Sequence, residues 1–338
     1  MSKIKILYNQ EIKRSRWKIF FEKSRFSTPF QSPEFFDFIN SISGMSAEAF
    51  AVEAGNQLQV LCVVTLQKEK GIKSYFSRRA IIYGGPLIAE DEKAFEAIEA
   101  LLKAISQKVG ENVIYLEIRN LNDYSDFKAN FENNGWEYQS HLNIQIKLKN
   151  KSMDDINGMM KYNRRREIRL SYKQGALVKK VESKEEVSML YSVLSNLYNE
   201  RVKLPLPSLD FFYNLFNSPV GLIFLVRHGQ NIIGGSFCVY CPKNTINTLY
   251  YCGIRDYHKK IFPTHLAIMG AIEFGLSNNL TAIDLMGAGK PGDEYGVRKY
   301  KAAFGGDLVE HGRFLKVCNK PLYHFGKFGL KIYQKFKK

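Results

Sequence analysis

The chain has 338 residues, 45% of them hydrophobic and 13% aromatic, with 49 lysines and arginines against 33 acids. That length suits two ordinary domains, each able to bury a real core, and the composition excludes a largely disordered chain. The net charge of +16 favours polyanionic partners: nucleic acid, a nucleotide diphosphate or an anionic membrane face.

Met1-Ser2-Lys3-Ile4-Lys5 is followed by polar residues with no apolar h-region, so a cytoplasmic protein without a signal peptide is expected. Ser32-Pro33-Glu34-Phe35-Phe36 opens a helix, with Ser32 as N-cap and an acid in the first turn. Strands over 49–53 and 58–66 flank Gly55-Asn56, a tight-turn pair suited to positive φ. Another strand, a helix over 93–108, a short buried strand over 113–118 and a final strand complete the first half. Lys149-Asn150-Lys151-Ser152 reads as a turn, and 153–174 as a junction helix capped by Ser152 with Gly175 at C′.

The second half repeats this order. Ser208-Leu209-Asp210-Phe211-Phe212 opens a helix, and strands over 222–227 and 232–240 flank Gly229-Gln230-Asn231. A helix over 263–278 and a short strand over 282–285 follow. The repeat predicts an α/β (α+β) protein of two tandem domains, 1–150 and 151–338, each helix-helix-β-β-β-α-β-α-β with a mixed sheet flanked by helices. The longest apolar runs are too short to cross a bilayer.

Candidate chemistry lies in four places. Arg164, Arg165 and Arg169 crowd the junction helix; Arg165 and Arg169 share a face four residues apart, and guanidinium forks bind phosphate oxygens. Arg201 and Lys203 precede the Pro-stiffened loop Leu204-Pro205-Leu206-Pro207 and can line a substrate channel. Asp284 ends a buried strand, Gly287-Ala288-Gly289 turns, and Tyr300-Lys301 follows; a lysine there can stabilise an oxyanion during acyl transfer. From Arg313 to Lys338 there are eight basic residues and no acid. Lys327, Lys331 and Lys335 fall on one helical face, while Phe325, Phe328, Ile332 and Phe336 fall on another. That pattern suits either an anionic membrane surface or packing on the chain's own domain. Five cysteines without a secretion signal read as reduced thiols, and Cys238-Val239-Tyr240-Cys241 as strand packing rather than a redox or metal motif. No metal site and no bound cofactor are expected, and the oligomeric state stays open.

Several of these segments, in this order, resemble the Fem family of peptidoglycan-bridge aminoacyltransferases and the related short FemAB-like acyltransferases. The matching residues include Tyr83-Gly84-Gly85-Pro86, 163–175, 198–207, 232–235, Gly253-Ile254-Arg255-Asp256-Tyr257, Pro263, Gly275 to Asp284, Gly296, Tyr300-Lys301 and Phe304-Gly305-Gly306. The resemblance covers most of the chain and is stronger in the second half. It implies a pair of GNAT-like domains and transfer of an amino acid from aminoacyl-tRNA to an amine of a diphosphate-bearing peptidoglycan precursor. Cell-wall work at the inner membrane face would follow.

On that resemblance Tyr300, Lys301 and Asp284 are catalytic, and Arg164, Arg165, Arg169, Arg201, Tyr251, Tyr257 and Gly287 bind substrate. Two departures keep the donor open: there is no coiled-coil arm for tRNA, and no R-x-x-G-x-G/A loop for acetyl-CoA. The readings carried forward are an aminoacyl-tRNA-dependent enzyme, an acyl-CoA-dependent N-acyltransferase of polysaccharide or lipid assembly, and a non-catalytic RNA- or membrane-binding module. No Ser-His-Asp or Cys-His arrangement is readable, which implies direct transfer without a covalent acyl-enzyme. Asp284 either positions or deprotonates the amine, or caps a loop.

Overall fold

A computed structural model describes residues 4–68 and 77–336, with the side chains of the last helix through Gly329. The chain divides into two compact units, Met1–His141 with His311–Lys338, and Leu142–Glu310.

Unit 1 begins with β1 (Ile4–Tyr8), α1 (Arg14–Lys23) and α2 (Pro33–Asn40). It continues through β2 (Met45–Ala54), β3 (Gln57–Gln67), β4 (Arg79–Gly84), β5 (Leu87–Ile88), α3 (Lys93–Val109), β6 (Tyr115–Asn120), α4 (Lys128–Asn133) and β7 (Glu137–Gln139). Unit 2 holds β8 (Leu142–Lys147), α5 (Met153–Met159), α6 (Tyr162–Lys173), β9 (Ala176–Lys180), α7 (Lys184–Leu197), α8 (Leu209–Asn217) and β10 (Gly221–His228). Then come β11 (Asn231–Tyr240), β12 (Thr245–Gly253), α9 (Pro263–Ser277), β13 (Ala282–Gly287), α10 (Gly296–Ala302) and β14 (Asp307–Glu310). β15 (Arg313–Val317) and α11 (Lys320–Phe336) return to unit 1.

The expected repeat is present, and its finest sign lies in the hairpins. In the β2–β3 ladder the register slips between Val52 and Glu53, two pairs from the turn. In the β10–β11 ladder it slips between Val226 and Arg227, also two pairs from the turn. A bulge bends a strand and re-aims its side chains, so one bulge at the same place in both units means one local geometry used twice. Among the described residues each sheet also has one parallel pair, β4 with β6 and β12 with β13, bridged by the long helices α3 and α9.

Three features depart from the sequence reading. First, each unit has an additional strand that the sequence reading lacked, β1 in unit 1 and β9 after the junction helices of unit 2; both lie at the end of their sheets. Edge strands bury few side chains and read as polar segments, and only Leu7 of β1 and Ala176 of β9 are buried. Second, the expected boundary near Lys151 moves to His141. β8 pairs with β13 and β14, while β15 pairs with β6 and β7. Ile144 and Ile146 of β8 are fully buried in the unit 2 core. Burial of that kind contributes roughly 1.5–3 kcal/mol per side chain, which fixes the strand there. Third, the junction helix is two helices. Met160 and Lys161 are extended, and the Lys161 N–H donates to the Ala303 carbonyl at 3.0 Å. Gly305, at φ +83°, allows this approach; a Cβ there would lie 2.5 Å from the Met159 carbonyl.

The capping residues match expectation at Ser152 and Ser32, whose hydroxyls accept from the Asp155 and Phe35 N–H groups. Gly175, at φ +84°, takes the C′ position. Cys238 is buried within β11, and burial pushes its thiol up to about 12, which suits packing rather than redox work. On α11, Phe325 and Phe328 are 60% and 63% exposed; Lys331, Ile332, Lys335 and Phe336 lie outside the described side chains. Among the described residues no helix is long and apolar enough to cross a membrane.

Candidate active site

β13 alternates Ile283 and Leu285, which enter the unit 2 core, with Asp284 on the other face. Asp284 is only 3% exposed, and burial raises its pKa. Both of its oxygens are engaged: Oδ1 accepts from the Met286 N–H at 2.5 Å, and Oδ2 from Gln145 Nε2 at 3.0 Å and Asn143 Nδ2 at 3.4 Å. The first bond closes an Asx turn. It holds Met286 at φ +60°, a conformation that a non-glycine side chain rarely adopts.

That turn aims two carbonyls at Lys301. Its Nζ donates to Gly287 O at 2.9 Å and Met286 O at 3.3 Å. Lys301 is 5% exposed on α10, and burial pulls its pKa down to about 8, partly opposed by Asp284. An ammonium has three hydrogens, so two held by carbonyls leave one for an incoming oxygen. The Tyr251 ring centroid lies 5.9 Å from Nζ, and the Tyr251 and Tyr300 rings are parallel with centroids 6.0 Å apart. Arg298 braces the turn, donating from Nε to Ala288 O at 2.8 Å, from Nη1 to Asp293 O at 3.2 Å and from Nη2 to Lys290 O.

Behind Tyr300 lies a second buried network. Arg164 stacks its guanidinium 4.2 Å over the Tyr300 ring and 4.4 Å over Phe304. Its Nη1 donates to His265 Nδ1 at 2.5 Å, and the Tyr300 hydroxyl lies 3.1 Å from the same nitrogen. Arginine can only donate, so Nδ1 is the acceptor and the proton sits on Nε2, 3.0 Å from Glu167 Oε2. Burial, then the Arg164 charge, pulls the His265 pKa down to about 3. A neutral imidazole thus links the Arg164 cation to the Glu167 anion.

The structure therefore groups Lys301, Asp284, Gly287, Tyr300, Tyr251 and Arg164. The three arginines of α6 separate. Arg164 turns inward, while Arg165 and Arg169, with Arg166 and Tyr162, line a cavity of about 320 Å³ beside Asp154 and Asn157. Arg201 is exposed on the π-helical turn Tyr198–Val202. Tyr257 bonds His228 Nδ1 through its hydroxyl at 2.9 Å. Sequence reasoning missed His265, Glu167, Asn143, Gln145 and the bracing role of Arg298. The one local signal was Glu167, three residues from Arg164 and so on its helical face.

No protein-family model matches the chain, and no curated protein matches it in sequence. Solved structures do. FemX is 14% identical, with 95% of this chain and 99% of that one aligned at a TM-score of 0.73. A tandem GNAT protein from the clavulanic acid biosynthesis pathway is 9% identical, with 94% and 99% aligned at 0.56. The C-terminal domain of a putative lysylphosphatidylglycerol synthetase from Agrobacterium fabrum is 13% identical, with 81% and 84% aligned at 0.54. At such identities the likeness is one of fold: this chain has the tandem GNAT-like architecture that the sequence resemblance implies.

Proposed function

We propose that the chain is an acyltransferase of Fem-like type, moving an aminoacyl group from aminoacyl-tRNA to an amine of a diphosphate-bearing cell-envelope precursor. The observation that carries this reading is Lys301, buried with two of its hydrogens held by the Met286 and Gly287 carbonyls. The acceptor amine attacks the acyl carbonyl carbon, and the third ammonium hydrogen meets the developing oxyanion. As the intermediate collapses, the C–N bond remains, the ester C–O bond breaks, and the proton lost by the amine ends on the leaving ribose hydroxyl. Asp284, with both oxygens engaged, is a positioning residue that fixes the turn facing Lys301. Arg165, Arg166 and Arg169 supply cationic forks for diphosphate or tRNA phosphates. The basic α11, with Phe325 and Phe328 exposed, suits peripheral contact with the anionic inner face of the membrane. The fold shared with a lysylphosphatidylglycerol synthetase also suits a lipid-borne acceptor.

The test is a thermal-shift panel at fixed low salt with aminoacyl-tRNA, acetyl-CoA, a longer acyl-CoA and a UDP-linked muropeptide, followed by transfer assays with the binders. Stabilisation by charged tRNA and muropeptide, with product formed, is expected. A response to a CoA ester alone moves the assignment to an N-acyltransferase. Silence across the panel with salt-sensitive RNA binding moves it to a non-catalytic module.

A further inference from the structure

The repeat places an acid in unit 1 where unit 2 has Asp284. Glu117 lies opposite Leu315 of β15, as Asp284 lies opposite Gln145 of β8. Each acid is also bonded by the residue two positions earlier on that partner strand, Arg313 in one case and Asn143 in the other. The surroundings then diverge. Glu117 Oε2 accepts from Arg119 Nε at 2.8 Å, and Oε1 from Arg313 Nη1 at 3.0 Å. Arg313 Nη2 donates to His141 Nε2 at 2.8 Å. Arg79 stands in register with Tyr115 on the neighbouring strand and donates from Nε to Gln67 Oε1 at 3.0 Å.

Two guanidinium groups thus hold one carboxylate, with Arg79 on the neighbouring strand. Burial and the Arg119 charge both lower the Arg313 pKa, the mark of positive charges held close together. Arg119 lies over the Tyr83 ring with its Cζ 5.4 Å from the centroid, which orients the fork. Among the described residues its two terminal nitrogens have no hydrogen-bond partner. The side chains of Arg119 and Arg313 remain 34% and 25% exposed, so a ligand can reach them.

We propose that Arg119 and Arg313, with Arg79 beside them, form a phosphate-binding site in unit 1 that is distinct from the Lys301 site. A tetrahedral oxyanion would bridge the free end of the Arg119 fork and supply the negative charge the cluster lacks. The group can belong to a soluble nucleotide or to a phospholipid headgroup.

The test is isothermal titration of the full chain at two salt concentrations with inorganic pyrophosphate, a nucleoside diphosphate, a short-chain water-soluble phosphatidylglycerol and acetate. Wild type should bind at least one phosphate ligand well above acetate, and which one identifies the source. Arg119→Gln keeps the Arg313–Glu117 bridge and should weaken that binding by about tenfold or more, the loss of a charge-assisted hydrogen bond. Lys301→Ala should leave it unchanged. Should Arg119→Gln not fold, Arg119→Lys keeps the charge, removes the fork and should still weaken binding several-fold. Unaltered binding in the Arg119 variants, loss in Lys301→Ala instead, or no preference for phosphate over acetate overturns the proposal.

Discussion

Glu117 and Asp284 occupy equivalent registers in equivalent strands, yet their partners differ in kind. Asp284 is held by two side-chain amides and a backbone N–H, all uncharged. The groups it bonds therefore leave its negative charge unneutralised, and that charge partly offsets the cost of burying the nearby Lys301 ammonium. Glu117 is held by two arginines, and the balance there is positive. In both units the donor arrives on a strand that the other half of the sequence leads into, β8 or β15. One frame thus carries two electrostatic settings, and the inserted strand selects between them: amides support a buried lysine, while guanidinium groups leave a cationic patch.

The largest expected effect separates the two units by rate. Lys301→Ala should lower turnover by about 10²–10³-fold, the usual consequence of removing one oxyanion donor, with substrate binding changed far less. Turnover equal to wild type would remove the difference in chemistry drawn here. The pH dependence sharpens the test. With its pKa at about 8, Lys301 loses its proton above that value, so activity should fall on the alkaline side. Stability should move the opposite way. The unfolded chain holds this proton up to about 10.4, so between the two values it binds more protons than the native state, and stability rises with pH. The thermal stability of wild type relative to Lys301→Gln should therefore rise from pH 7.5 to pH 9.5 as activity falls. His265, neutral above about 3, should add no inflection between pH 5 and pH 7.

A smaller effect compares the acids by stability. Asp284→Ala strands three donors, one on buried Asn143 and two on half-buried Gln145 and Met286, and should cost about 1–3 kcal/mol in denaturant unfolding, the penalty for unsatisfied buried groups. Glu117→Ala leaves arginines that water can still reach, so it should cost less. A larger loss from Glu117→Ala would mean that the unit 1 cluster holds the fold together rather than offering charge to a ligand.

Local chemistry was readable in the sequence, and distant pairing was not. Gly55-Asn56, Ser32, Ser152 and Gly175 act on backbone within a few residues, and each adopts the conformation its side chain favours. The Tyr300-Lys301 pair and Asp284 were visible as residues, but the bonds that define them come from Asn143 and Gln145, about 140 positions away along the chain. Arg164 read as one of three substrate-binding arginines on the junction helix, with nothing to set it apart from Arg165 and Arg169. Its burial depends on His265 and on Tyr300 and Phe304, none of them near it in sequence. A lone histidine in an apolar helix carries no local sign of such a role. The placement of β8 and β15 was hidden for the same reason, since an apolar alternation says that a strand exists and not which sheet it joins.

The smallest effect lies in the two hairpins, where the repeat differs by one residue's conformation. In unit 1 both turn residues are left-handed, Gly55 at φ +60° and Asn56 at φ +62°, the pattern of a type I′ turn. In unit 2 Gly229 is left-handed at φ +58°, while Gln230 is not. Asparagine tolerates the left-handed region better than most residues, and alanine pays about 1 kcal/mol there. Asn56→Ala should therefore lower unfolding stability by about that amount, and Asn56→Gly should leave it equal or slightly higher. Gln230→Ala, at a position that any residue adopts, should stay within about 0.5 kcal/mol of wild type. Equal losses at the two positions would show that the hairpins share one turn geometry. Unequal losses in this order would show that the copies keep their bulge while their turns have diverged.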